Sequence, residues 1–123
     1  MFEGNYNYQE AAAKCAEDGG TLAMAADTDT FNFMFNILDT YVMQGGGIVG
    51  TFVDGSRGIM NPQSDAWWCV NTQSDCGQIM PWHFGRQGNN VYQPCVAILK
   101  WYENGVADAS CHQLMAMCQY RLQ

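Results

Sequence analysis

The chain has 123 residues, 48% of them hydrophobic and 14% charged, with a formal net charge of −7. That length fits a single domain spanning 1–123, and the modest charge content with ample apolar residues excludes disorder. The acidic balance argues against nucleic acid or an anionic membrane as partner and is consistent with binding a cation, and no apolar run approaches the ~18 residues of a membrane span.

Asn7-Tyr8-Gln9-Glu10 fits a capping box, with Asn7 as N-cap and Glu10 at the third helical position. Tyr8, Ala11, Ala12 and Cys15 follow at i, i+3, i+4 and i+7, which predicts an amphipathic helix ending at Gly19-Gly20. Before it, Met1-Phe2-Glu3-Gly4 lacks the basic and apolar regions of a signal peptide, so the chain is expected to be a mature fragment with an added or internal Met1. Thr21 to Ala25 is a short strand or extended connector. Asp27-Thr28-Asp29-Thr30 caps a second helix, with Phe31, Met34, Phe35, Leu38 and Tyr41 as its core stripe and Gly45-Gly46-Gly47 as its stop. No Gly-Lys-Ser/Thr follows those glycines, which excludes a phosphate loop.

Ile48 to Val53 reads as a strand. From Asp54 to Pro81 turn formers dominate, and Asp54, Asp65 and Asp75 are read as ordinary turn aspartates, with a short strand at Trp67 to Val70. A polar loop, Gly85-Arg86-Gln87-Gly88-Asn89-Asn90, precedes a strand from Val96 to Trp101, a turn at Glu103-Asn104-Gly105 and a strand near Val106. The last strand is expected from Leu114 to Leu122, with Leu114, Ala116, Cys118 and Tyr120 on one side. Helices early and strands late predict an α+β domain, and no repeats or low-complexity linkers interrupt it.

Six cysteines, at 15, 69, 76, 95, 111 and 118, include no C-x-x-C pair. That disfavours structural zinc and favours three disulfides in an oxidising, extracellular setting, although counting alone permits 15 pairings. Trp82 is expected in the core, and His83 and His112 are expected to be exposed; neither histidine has the spacing of a zinc site. Neither Gly-x-Ser-x-Gly nor His-Glu-x-x-His occurs, and no other catalytic constellation is present, so the chain is not expected to be an enzyme.

The ordered set Tyr8-Gln9-Glu10-Ala11 with Cys15, Gly19-Gly20-Thr21-Leu22-Ala23, Ile48-Val49-Gly50-Thr51, Trp82 before Gly85 to Asn90, Cys95-Val96, and Asp108 with Cys111 and Cys118 resembles the C-type lectin-like domain, of the secreted invertebrate kind, over nearly the whole chain. The resemblance implies two helices packed on small antiparallel sheets, a long irregular loop region, and disulfides Cys15–Cys118 and Cys95–Cys111, leaving Cys69 and Cys76 as a third pair. It also implies a secreted lectin that recognises cell-surface or microbial glycans in innate immunity or agglutination, compatible with homo-oligomerisation and without membrane insertion. The alternative it allows is a lectin-like domain that binds a protein or mineral surface.

In that family the sugar completes the shell of a Ca²⁺ held by a Glu/Gln-Pro-Asn/Asp triplet, a later Glu and an Asn-Asp pair. The matching positions here are Gln87-Gly88-Asn89, Gln93 and Ala107-Asp108. The triplet proline is glycine, the Glu is Gln, and the Asn of the pair is Ala. Ca²⁺ wants six to eight oxygens, several anionic. Gln87, Asn89 and Gln93 offer neutral amides and Asp108 one carboxylate, so the expected calcium site is weak or absent. Sugar binding is expected on Gln87, Asn89, Tyr92, Gln93 and Asp108, because amides supply both a donor and an acceptor.

Overall fold

The computed structural model describes residues 2–43, 50–59, 67–78, 80–83, 94–100, 105–111 and 114–120. The elements run β1 (Phe2–Tyr6), α1 (Tyr8–Glu17), β2 (Thr21–Leu22), α2 (Thr28–Met43), β3 (Gly50–Ser56), β4 (Trp68–Cys69), β5 (Ser74–Asp75), β6 (Cys95–Leu99), β7 (Ala107–Ala109), β8 (Leu114–Ala116) and β9 (Cys118–Gln119).

Both helices start as their sequences dictate. Asn7 Oδ1 accepts from Glu10 N at 2.7 Å while Glu10 Oε1 accepts from Asn7 N at 2.9 Å, so two otherwise unpaired amides at the start of α1 are satisfied reciprocally. Asp27 Oδ1 accepts from Thr30 N at 2.7 Å at the start of α2, and that amide holds the Asp27 carboxyl below its ordinary range. The predicted stripe of α2 is core: Phe31, Met34 and Leu38 are buried, and Phe35 and Tyr41 pack against them.

Beside a small β2–β9 ribbon stands a sheet of seven strands among the described residues, in which β3 is the hub. β3 runs antiparallel to β6, through Gly50↔Leu99, Thr51↔Ile98 and Phe52↔Ala97, and parallel to β8, through Thr51↔Met115 and Phe52↔Ala116. The sheet has a helix layer on each face. Val53, Val96, Ile98 and Met115 join the α2 side chains in one apolar cluster, while Phe52, Cys95, Ala97 and Ala116 join Tyr8, Ala11 and Cys15 of α1 in the other. Alternate residues of a strand face opposite sides, so a sheet covered twice needs strands that are apolar throughout. β6 reads Cys-Val-Ala-Ile-Leu for that reason.

All six cysteines are paired: Cys15–Cys118, Cys69–Cys76 and Cys95–Cys111. Four expectations are corrected, the first being that Asp75 is a turn residue: it lies on β5, paired with Trp68. β1 was not anticipated; it pairs with β8 through Phe2↔Ala116 and Tyr6↔Leu114. The single C-terminal strand is two, because Met117 lies between the sheets: its carbonyl accepts from Ala23 N at 2.7 Å while β8 joins β3 and β9 joins β2. Asp54 is no turn residue; it lies inside β3 and is 1% exposed.

Candidate functional site

The residues on either side of the predicted polar loop are fixed in the fold. Trp82 forms a parallel bridge with Val106, through His83 N donating to Val106 O at 2.9 Å and Val106 N donating to Pro81 O at 2.8 Å. Gly105 makes this crossing possible: a Cβ there would collide with the backbone of Pro81, Trp82 and His83. Trp82 Nε1 donates to Gly77 O at 2.6 Å, and its ring packs on Trp67 at 5.1 Å between centroids, so it lies half-buried against the core rather than inside it. His83 is half-buried rather than exposed. On the return side Pro94 O accepts from Arg57 N at 2.8 Å, and Cys95, which opens β6, is bonded to Cys111.

Asp108 lies on β7 opposite Val96, one strand from this return point, and is 5% exposed. Ala107 beside it is fully buried and supplies only a methyl group where the calcium-binding pattern has an amide. Gln87, Asn89, Tyr92 and Gln93 lie outside the described residues, as does His112. Among the described residues no group of three His, Cys, Asp or Glu side chains converges as a metal site.

A second polar centre was missed in the sequence reading. Opposite the span from Cys95 to Ala97 on β6, β3 runs from Ser56 to Phe52, two residues longer, so it bulges. Gly55 carries the bulge at φ +146°, and a Cβ there would meet Val96 Cγ2 at 2.7 Å. The Asp54 carboxylate reaches the turn after β4. Its Oδ1 accepts from Val70 N at 2.8 Å; its Oδ2 accepts from Asn71 N at 2.9 Å and Asn71 Nδ2 at 2.8 Å. Asn71 uses its whole amide: Nδ2 also donates to Leu22 O at 2.9 Å, and Oδ1 accepts from Thr21 Oγ1 at 2.7 Å and Gln119 Nε2 at 3.2 Å. Gln119 Oε1 in turn accepts from Met24 N at 2.9 Å.

Burial pushes the Asp54 carboxyl above its ordinary range, against the opposing pull of the Asn71 and Val70 amides. Tyr8, beside it, is pushed up by its own burial and then by the charge of Asp54; its hydroxyl accepts from Gly55 N at 2.9 Å. The signal for Asp54 in the sequence was Asp-Gly, which reads as a turn and here is a bulge. This centre ties β2, β3, the turn after β4 and β9 together.

The sequence matches no family model and no curated protein. Solved structures do match in shape. Human lithostathine superposes with a TM-score of 0.75 at 14% identity, covering 98% of this chain and 88% of that one. Herring type II antifreeze protein gives 0.72 at 14% identity, covering 100% and 95%. The C-type lectin domain of murine dendritic cell inhibitory receptor 2, solved in complex with an N-glycan, gives 0.70 at 20% identity, covering 96% and 84%. With two helices, small antiparallel sheets, three disulfides and these neighbours in shape, the chain has the C-type lectin-like fold.

Proposed function

We propose that this protein is a secreted, non-catalytic glycan-binding lectin whose site is the loop from Arg86 to Tyr92 with Gln93 and Asp108. The observation that carries the reading is the way the fold frames this segment. The residue pair Trp82–Val106 is bridged before it and Cys95–Cys111 is bonded after it, so a sequence rich in amides is bracketed by two fixed points of the fold. The N-glycan complex of a domain with the same fold lends support. Three disulfides in a chain of this size suit an oxidising, extracellular setting.

Gln87, Asn89 and Gln93 are the hydrogen-bonding partners of the sugar hydroxyls in this reading, and Tyr92 supplies a ring face. Asp108 is the single carboxylate at the matched calcium positions. Calcium sites tune affinity by charge and ligand count, so a site with one carboxylate and three amides binds calcium at ~10⁻³ M or weaker. Glycan-array binding in calcium and in excess EDTA tests this. Asn89→Ala and Gln87→Ala each weaken binding with little change in melting temperature, and chelator leaves most binding in place. Unaltered binding by both variants would place the site elsewhere. Complete loss with EDTA would show that a strong calcium site survives these substitutions.

A further inference from the structure

Away from the long loop, two adjoining hollows open beside the C-terminal end of α1. The inner one, about 130 Å³, is walled by Tyr8, Ala12, Ala16, Leu22 and Val70. The outer one, about 380 Å³, is rimmed by Gly19, Asn71, Gln73 and Gln119. Gly20, Thr21 and Val70 line both, so the hollows share a wall. Their combined size falls in the ~300–1,000 Å³ range of small-molecule sites.

The two chambers differ in chemistry. The inner chamber is bounded by methyl, methylene and ring groups. Asp54 also borders it, but both carboxylate oxygens already accept from the turn after β4. Its volume is close to the ~150 Å³ of an engineered apolar cavity that admits benzene or xenon. The outer chamber carries amides with capacity to spare. Gln73 Nε2 donates one bond, to Val70 O, and Gln119 Nε2 one, to Asn71 Oδ1, whereas each amide nitrogen has two hydrogens and each amide oxygen two lone pairs. Gln73 is also the one described non-glycine residue at positive φ, +52°.

Charge narrows the occupant. The net charge is −7, Asp18 caps the end of α1 next to Gly19, and a helix C-terminus carries partial negative charge. An anionic head, such as a fatty-acid carboxylate, is repelled; a neutral head that donates hydrogen bonds is not.

We infer that this paired hollow binds a small neutral amphiphile, with a short alkyl or acyl chain in the inner chamber and a hydroxyl-bearing head on Gln73 and Gln119. The site is independent of the glycan-binding loop.

Vicinal alkanediols from propane- to hexanediol are suitable probes, because they carry the chemistry without being sugars. Titration of the intact, oxidised protein followed by amide NMR should show shifts at Ala12, Ala16, Leu22, Val70 and Gln73. Affinity should rise about fourfold per added methylene until the inner chamber is full. Ala16→Leu, at an exposed helical position, should overhang the inner chamber and abolish the chain-length dependence; Ala13→Leu, exposed on the same helix but outside the hollow, should not. Hexanoate should bind more weakly than hexanediol. Asn89→Ala should leave the titration unchanged, which separates this site from the proposed lectin loop. Equal affinity for propane- and hexanediol, shifts confined to other residues, or undiminished binding by Ala16→Leu would overturn the inference.

Discussion

Replacing Asp54 with alanine removes the acceptor for three N–H groups at once: Val70 N, Asn71 N and Asn71 Nδ2. These donors sit in a partly buried turn, so each orphaned group costs near the low end of its range, about 1 kcal/mol. The gross loss is about 3 kcal/mol. Relief of a carboxylate that burial penalises offsets part of it, leaving a net loss of about 2–3 kcal/mol at neutral pH. At about 4 °C per kcal/mol for a chain of this size, the melting temperature falls ~10 °C. The pH dependence carries a definite sign. Because the native-state pKa of Asp54 is raised, its contribution to stability is fully present below the unfolded value and declines as pH rises through the native value. The stability advantage of the wild type over Asp54→Asn, which cannot titrate, therefore grows from pH 7 down to pH 3.5. Guanidinium denaturation of both proteins at the two pH values, with disulfides intact, measures it. A loss below about 1 kcal/mol for the alanine variant would refute the account of Asp54 as a buried tie between β3 and the turn after β4, and an advantage that grows with pH would show that the Asn71 and Val70 amides outweigh burial at its carboxyl.

Two further outcomes follow from the covalent and backbone geometry. Alanine pairs at each disulfide should rank by loop length: about 4.7 kcal/mol lost for Cys15/Cys118, about 3 for Cys95/Cys111 and about 2 for Cys69/Cys76, on the chain-entropy model; a reversed order in denaturant midpoints would show that native strain or residual structure governs instead. Gly55→Ala should destabilise by about 2 kcal/mol or more, because the position combines φ +146° with a contact to Val96 Cγ2 that a Cβ could not relieve, and thermal melting within 2 °C of wild type would contradict this.

What the sequence revealed depended on how local the cause was. The start of α1 was legible because Asn7 and Glu10, three residues apart, satisfy each other's amides, and the core of α2 because its stripe has helical period. β1 was not, since Phe2-Glu3-Gly4-Asn5-Tyr6 has weak strand propensity and owes its conformation to β8, more than a hundred residues away. Leu114 to Tyr120 alternates like one strand; only the presence of β2 and Ala23 divides it at Met117. Asp54-Gly55 carries the composition of a turn, and nothing local distinguishes a turn from a bulge whose acid is answered by Asn71. At the candidate lectin site, the anchors were legible as the Trp82 and cysteine positions, and Asp108 was found on the strand expected near Val106. The burial of Ala107 and Asp108 was not, because it comes from β7 lying against β6.

The Cys15–Cys118 bond has a mechanical consequence. If the chain is pulled from residues 2 and 120, the load passes through that bond and bypasses everything between the two cysteines, a separation of 103 residues. Only β1 and α1 up to Cys15, and the few residues after Cys118, can be drawn out. At ~3.4 Å per residue the extension stops at about 50 Å, against about 400 Å for the reduced chain. The β3–β6–β7 framework, the Asp54 tie and both anchors of the long loop all lie inside the shielded segment. Under oxidising conditions tension on the ends can strip the edge of the molecule without extending the part that holds the loop.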